Sequence, residues 1–147
     1  MTNDIPIIVG TGIFSHLSAN EVVSARVGAR LYMQSAPAEA TYPLIRYTYL
    51  FGPFTNRTKR KAFDVLFQVE SISPDQEEAY ELNAAVVDAF LALDEDGRKV
   101  RVPYPDPWQD YVGATYQYPL ITKVEIQGHE YHSAGSIFRF RGSEILR

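Results

Sequence analysis

The chain has 147 residues, 46% of them hydrophobic, enough for one domain that buries roughly 70% of its extended-chain surface on folding. It has no cysteine, which excludes disulfides, thiolate nucleophiles, zinc ribbons and iron–sulfur ligation together. A net charge of −4 argues against a DNA-coating role, because affinity for phosphate backbones scales with the cations brought to them.

No run of about 18 apolar residues is present, and the N-terminal "MTNDIPIIVGTGIF" lacks the basic region and cleavage site of a signal peptide, so a soluble, unexported protein is expected. There is no internal repeat, low-complexity tract or linker-like shift in composition. Residues 1–147 are therefore expected to form a single domain.

Pro6, Gly10 and Gly12 weaken any expectation of regular helix over residues 5–17, although Ile13, Phe14 and Leu17 fit one face. In "SANEVVSARVG", Ser18 and Glu21 form a capping box and Gly28 a stop, which predicts a short helix. "ARLYM" (29–33) reads as a strand and "QSAPAEATYP" as a loop. "YPLIRYTYLF" then alternates Ile45, Tyr47, Tyr49 and Phe51 against Leu44, Arg46, Thr48 and Leu50. The next strand places Phe63, Val65, Phe67 and Val69 on one face, with Asp64, Gln68 and Glu70 on the other. The two strands read as an antiparallel pair joined by "GPFTNRTKRK".

A second helix carries Ala79, Leu82, Val86, Ala89, Phe90 and Leu93 at helical spacing and is expected to stop near Gly97. Its start is marked by Ser73 and Gln76 as an S-x-x-Q capping box, Pro74 at the first helical position, and Asp75, Glu77 and Glu78 in the first turn. Those carboxylates already complement the positive end of the helix, so a self-capped joint is expected there rather than a phosphate site. A Pro- and Tyr-rich segment (98–119) follows. In the final strand pair Leu120, Thr122, Val124 and Ile126 are expected to point inward from one strand, and Phe138 and Phe140 from the other. The fold class is α+β: a two-layer sandwich of an antiparallel or mixed sheet with helices on one face, in the order α-β-β-β-α-β-β.

Motifs with chemistry are incomplete. "VGTGIFS" has Gly10 and Gly12 but Ser15 at the third glycine position of a dinucleotide fingerprint. "HEYH" (129–132) spaces its histidines by three in a strand or turn, where they point to opposite faces, and "DEDG" lacks the further ligands of a calcium loop. No nucleophile elbow is present, and Glu77 and Glu81 fall on a predicted helix surface, where water solvates both. No catalytic residue, metal or cofactor is therefore expected.

The one basic cluster is "NRTKRK", with Arg57, Lys59, Arg60 and Lys61. It reads either as a solubilising hairpin tip or as a contact with an acidic neighbour. The Asn56 sequon matters only in a secreted protein. "YPDPW" with Tyr111 concentrates aromatic area in a loop, so Tyr104, Trp108 and Tyr111 are candidate interface anchors, with local packing equally open.

The order of elements, with "VGARLYMQSAPAEATYPLIRY", resembles the tail terminator or tail completion proteins of long-tailed bacteriophages and related particles. Val27–Tyr32, Ala36 and Pro37, and Tyr42–Tyr47 carry the likeness, and Phe63–Leu93 and the strand pair at 120–141 extend it. Residues 4–17 and 98–119 depart from the family pattern.

The resemblance implies a structural, non-enzymatic virion protein. In that family a ring, usually hexameric, caps the head-proximal end of the tail tube, stops its polymerisation and meets the neck. It is assembled in the host cytoplasm. The expected partners are further copies of the chain, the tail tube protein and a neck or head–tail connector protein, with DNA only passing through the lumen. Arg57, Lys59, Arg60, Lys61, Tyr104, Trp108 and Tyr111 are then the expected subunit or tube contacts. The alternatives are another neck, head-completion or minor tail protein, a small enzyme, and a nucleic-acid-binding module that uses the 56–61 hairpin with Tyr47 and Tyr49 as stacking residues.

Overall fold

The computed structural model describes residues 4–52, 54–57, 60–126 and 128–145, and their side chains except at 54–57 and 60. Three helices, α1 (Ile5–Ala19), α2 (Glu21–Val27) and α3 (Gln76–Leu91), accompany seven strands. The strands are β1 (Leu31–Met33), β2 (Leu44–Phe51), β3 (Phe54–Arg57), β4 (Arg60–Ser73), β5 (Trp108–Asp110), β6 (Thr115–Ile126) and β7 (His129–Glu144). They form one mixed sheet with the path β1-β2-β4-β7-β5; β3 pairs with β4 and β6 with β7. Only the β1–β2 pair is parallel among the described residues. The expected α+β sandwich and its main element order are present, with α1, β3 and β5 added.

The addition of α1 corrects the expectation for residues 5–17. Pro6 lies in the first turn, where its missing N–H has no intrahelical partner to lose. The Asp4 carboxylate accepts from Ile7 N at 3.3 Å and caps the helix. The glycines sit where the helix comes closest to its neighbours: a Cβ on Gly12 would lie 2.5 Å from Tyr104 Cδ1, and one on Gly10 2.7 Å from Met33 Sδ. Close packing is what they serve, so the apparent fingerprint is part of a helix face.

Two predicted caps also shift. α2 is capped by Asn20, whose Oδ1 accepts from Val23 N at 3.0 Å, while Ser18 belongs to α1. α3 is capped by Asp75 through Glu77 N at 3.1 Å, so Pro74 precedes the helix. Ser73 still braces the joint, accepting from Asp75 N at 3.0 Å and donating to Glu78 Oε1 at 2.6 Å. α3 ends at Leu91, earlier than expected. Leu93 is exposed, and Gly97, at φ +75°, serves a separate turn in which Asp94 Oδ1 accepts from Asp96 N and Arg98 N.

The core lies between the helices and one face of the sheet. Phe63, Val65, Phe67 and Val69 of β4 and Phe138 and Phe140 of β7 are buried there as expected. α3 adds Leu82, Val86 and Phe90, the last with its ring centroid 4.8 Å from Phe138 and 5.5 Å from Phe140. Apolar alternation plus burial against a facing helix accounts for this layer.

At the rims the alternation misleads. Ile45 and Tyr47 are buried as expected, but a β-bulge between Tyr49 and Phe51 pairs Phe51 with Leu66 and turns it out to solvent. In β6 the predicted inward row fails: Leu120 and Thr122 are exposed, and Val124 and Ile126 only half-buried. β6 has β7 as its one strand partner among the described residues, and α3 lies mainly over β4 and β7. The register sets the four opposite Gly135, Ser133, Tyr131 and His129, on the face turned away from the helices, so the row points out of the core.

Candidate assembly interface

The expected contact residues divide into three groups. Lys59 lies outside the described residues. Arg57 and Arg60 face each other as the last backbone pair of the β3–β4 ladder, and Lys61 pairs with Asn56 and is half-buried. β3 and β4 therefore pair antiparallel, and Arg57, Arg60 and Lys61 sit where the described ladder ends.

Tyr104 and Trp108 are corrected: at 8% and 6% exposure they belong to the core. Their rings pack on Phe63, at centroid distances of 5.1 and 5.6 Å. They pin the Pro-rich segment to the sheet, helped by Asp110, whose Oδ2 accepts from Val102 N at 2.8 Å and whose Oδ1 accepts from Gly113 N at 3.0 Å. Burial, with the nearby Asp110 carboxylate, pushes the Tyr104 hydroxyl well above its ordinary pKa. Tyr111 does reach the surface, beside exposed Val112. Dense aromatic sequence fits a core or an interface equally well, and here the core took two of three residues.

The sheet face away from the helices is polar and internally paired. Arg139 clamps Asp64, with Nε donating to Oδ1 at 2.6 Å, and this hydrogen bonding holds the Asp64 carboxyl below its usual pKa. Arg46 donates to Glu70 Oε1 at 3.0 and 3.1 Å, while Ser133 Oγ donates to Oε2 at 2.8 Å. Glu70 is buried, so these bonds replace the water it has lost.

Several hollows among the described residues are shallow. One of about 340 Å³ lies where α1 meets the end of α3, lined by Ser15, His16 and Arg101. His16 is already engaged: its ring stacks on Phe90 at 4.9 Å, and Nε2–H donates to the Ala89 carbonyl at 2.8 Å, one of the last carbonyls of α3. No group of three metal-ligating side chains occurs among the described residues. His129 and His132 fall on opposite faces of β7, as their spacing requires. The stacking platform is corrected too, since Tyr47 is buried and Tyr49 packs edge-on to Phe67.

Two exposed apolar clusters stand out, and neither was among the expected contacts. On α1, Ile7 (53% exposed) and Phe14 (42%) share a stripe with Thr11 and Ser18. On β6, which pairs on one side only among the described residues, Tyr118 (54%) and Leu120 are exposed on the face away from the helices and Ile121 (54%) on the other face. A signal was available for the first: "IPIIVGTGIFSHLSA" has no Asp, Glu, Lys or Arg, and a helix apolar on all sides is a buried one. For the second, Pro119 is tolerated only on an edge strand.

The profile of the family described as Tail completion protein gp17 matches residues 11–106. No curated protein matches the chain. Solved structures do, among them a chain from the virion of a native gene transfer agent particle. That chain is 18% identical, with 97% of this chain and 99% of that one covered, at a TM-score of 0.64. At that identity the likeness is one of fold, and it spans nearly the whole domain. The profile match takes in α2, the β2–β4 pair, α3 and most of α1, and on it the chain belongs to the tail completion protein gp17 family, structural proteins of phage-type tails.

Proposed function

We propose that the protein forms a ring, hexameric in the simplest case, that caps the head-proximal end of a tail tube, halts tube growth and joins the tail to the neck. Family membership carries this reading. Physical features agree with it. A contact between two different patches closes into a ring of fixed size when the rotation per subunit closes, and α1 and β6 each expose apolar side chains. The role is read as structural, in keeping with the family to which the chain belongs.

In this reading the basic hairpin end and the Tyr111–Val112 loop meet the tube or the neck. A net charge of −4 per subunit suits a lumen through which DNA passes without sticking. The test is negative-stain imaging and native mass spectrometry of the purified protein, alone and mixed with tail tubes. Rings, free or at tube ends, with tubes that stop growing, are expected. Monomers that leave tube length unchanged and never decorate an end would sink the reading. Salt-sensitive binding to short oligonucleotides by such monomers would point to nucleic acid instead.

A further inference from the structure

We propose that residues 34–43, which join β1 to β2, form a strap closed by the Tyr42–Tyr131 ring pair, and that this strap opens as a unit while the main core stays folded. It is a conformational device that covers or uncovers Leu44 and Ile72, and it does not depend on the ring reading above.

The first support is an apolar pair buried on the side of the sheet that the helices leave open. Leu44 pairs with Ile72, and by register both share the face of Arg46 and Glu70, turned away from the helices. Each is only 1% exposed, yet neither belongs to the main core cluster. The helices lie on the other face, so a different part of the chain covers this pair.

The second support is the clasp. Ser133 of β7 completes the row Leu44–Ile72–Ser133, and Tyr42 and Tyr131 each stand two residues beyond it, at the same end of the sheet. β2 and β7 flank β4, so they run two strand spacings, about 10 Å, apart. The Tyr42 and Tyr131 rings nonetheless stack with centroids 4.3 Å apart, which requires them to lean toward each other over the end of β4. A side-chain hydrogen bond joins them as well. On the other side of the row Arg46 donates to Glu70, which also accepts from Ser133. Leu44 and Ile72 are thus closed in by a ring pair at one end and an ion pair at the other.

The third is how lightly the strap is tied between its ends. Gln34 opens it at φ +69°, a left-handed conformation that side chains rarely adopt, and its Oε1 accepts from Tyr49 N at 2.9 Å. At the other end Arg30 Nε donates to the Pro43 carbonyl at 2.8 Å. Between these ties, the backbone hydrogen bond within 36–41 runs from Ala40 N to the Pro37 carbonyl at 3.0 Å and stays inside the strap. Pro37, Ala38, Glu39 and Thr41 are exposed. A segment with few buried contacts and self-contained bonds opens at a lower free energy than the core, and here the Tyr42 ring is what couples it to the sheet.

The absence of native cysteine makes a clean test available. Ile72→Cys places a single thiol under the strap, and Phe67→Cys places one in the main core, where the residue is 0% exposed. Each full-length protein is labelled with a small thiol reagent under native conditions, and its urea stability is measured alongside. The thiol of Ile72→Cys should label at least about tenfold faster than that of Phe67→Cys, because only the second waits for the core to open. Adding Tyr131→Ala should speed labelling at position 72 by at least about tenfold more, and at position 67 by no more than the change in urea stability accounts for. Tyr131→Phe, which keeps the stack, should restore most of the slow rate. Leu44→Cys, on the partner strand, should repeat the whole pattern should Ile72→Cys fail to fold. Equal labelling at the two positions, or an equal acceleration of both by Tyr131→Ala, would make the strap part of the main core and overturn the proposal. No acceleration at position 72, or one as large with Tyr131→Phe as with Tyr131→Ala, would overturn the ring pair as its clasp.

Discussion

β4 and β6 are strands of one sheet, both written with alternating apolar residues, and they end in opposite environments. In β4, Phe63, Val65, Phe67 and Val69 are buried, with β2 and β7 as neighbours and α3 overhead. In β6, Tyr118, Leu120 and Ile121 remain exposed, with a strand on one side and an open edge on the other. The helices repeat the contrast. α3 turns acidic residues to water, whereas α1 turns Ile7 and Phe14. Periodicity names the two faces of an element, but its neighbours decide whether a face is dry. Apolar residues at the margins stay wet in the single subunit because no neighbouring element reaches them.

The largest effect should come from exchanging the two regions' roles by truncation. Phe138→Ala empties a site packed by Phe90 and Phe140 and should cost about 3–5 kcal/mol in urea unfolding. Ile121→Ala should stay within about 0.5 kcal/mol of the wild-type protein in the same measurement. Equal losses from the two would place β6 in the core and end the comparison.

A smaller change probes how α1 is held. Gly12→Ala gains about 1 kcal/mol of helix propensity, but its methyl would meet the buried Tyr104 ring, and overpacking costs about 1–3 kcal/mol. The ring is wedged against Phe63 and has little room to yield, so a net loss in thermal midpoint is expected. A gain would mean that α1 does not rest on that ring.

The smallest effect concerns the Tyr104 hydroxyl, which is buried without a hydrogen-bond partner among the described residues. Tyr104→Phe removes an unsatisfied polar atom and keeps the ring. Stability should be unchanged or higher by up to about 1 kcal/mol in chemical denaturation. A loss beyond that would reveal a polar partner for the hydroxyl and make the residue more than a packing anchor.

Much of the fold was legible. The strand through Phe63–Val69, the helix after it and the closing strand pair follow from periods of two and 3.6 and from a cluster of capping residues. α1 was missed because Pro6, Gly10 and Gly12 are penalised for an isolated helix, yet each costs little here. One sits in the first turn, and the others let the helix approach Met33 and Tyr104 more closely than any Cβ would allow. The interface residues were half legible for a related reason. Tyr104 and Trp108 were singled out as aromatic, but aromatic character does not say whether the surface a ring covers belongs to its own chain.

What the sequence determined alone is local: which segments alternate, that no thiol chemistry exists, and a likeness to tail completion proteins in "VGARLYMQSAPAEATYPLIRY". Such features depend on residues within a few positions of one another, and chain order encodes them directly. Only the tertiary structure decided that a bulge turns Phe51 outward, that Tyr104 and Trp108 are core, and that Ile7, Phe14, Tyr118 and Ile121 stay exposed. Those outcomes depend on which elements lie side by side, and burial is a property of neighbours far apart in the chain.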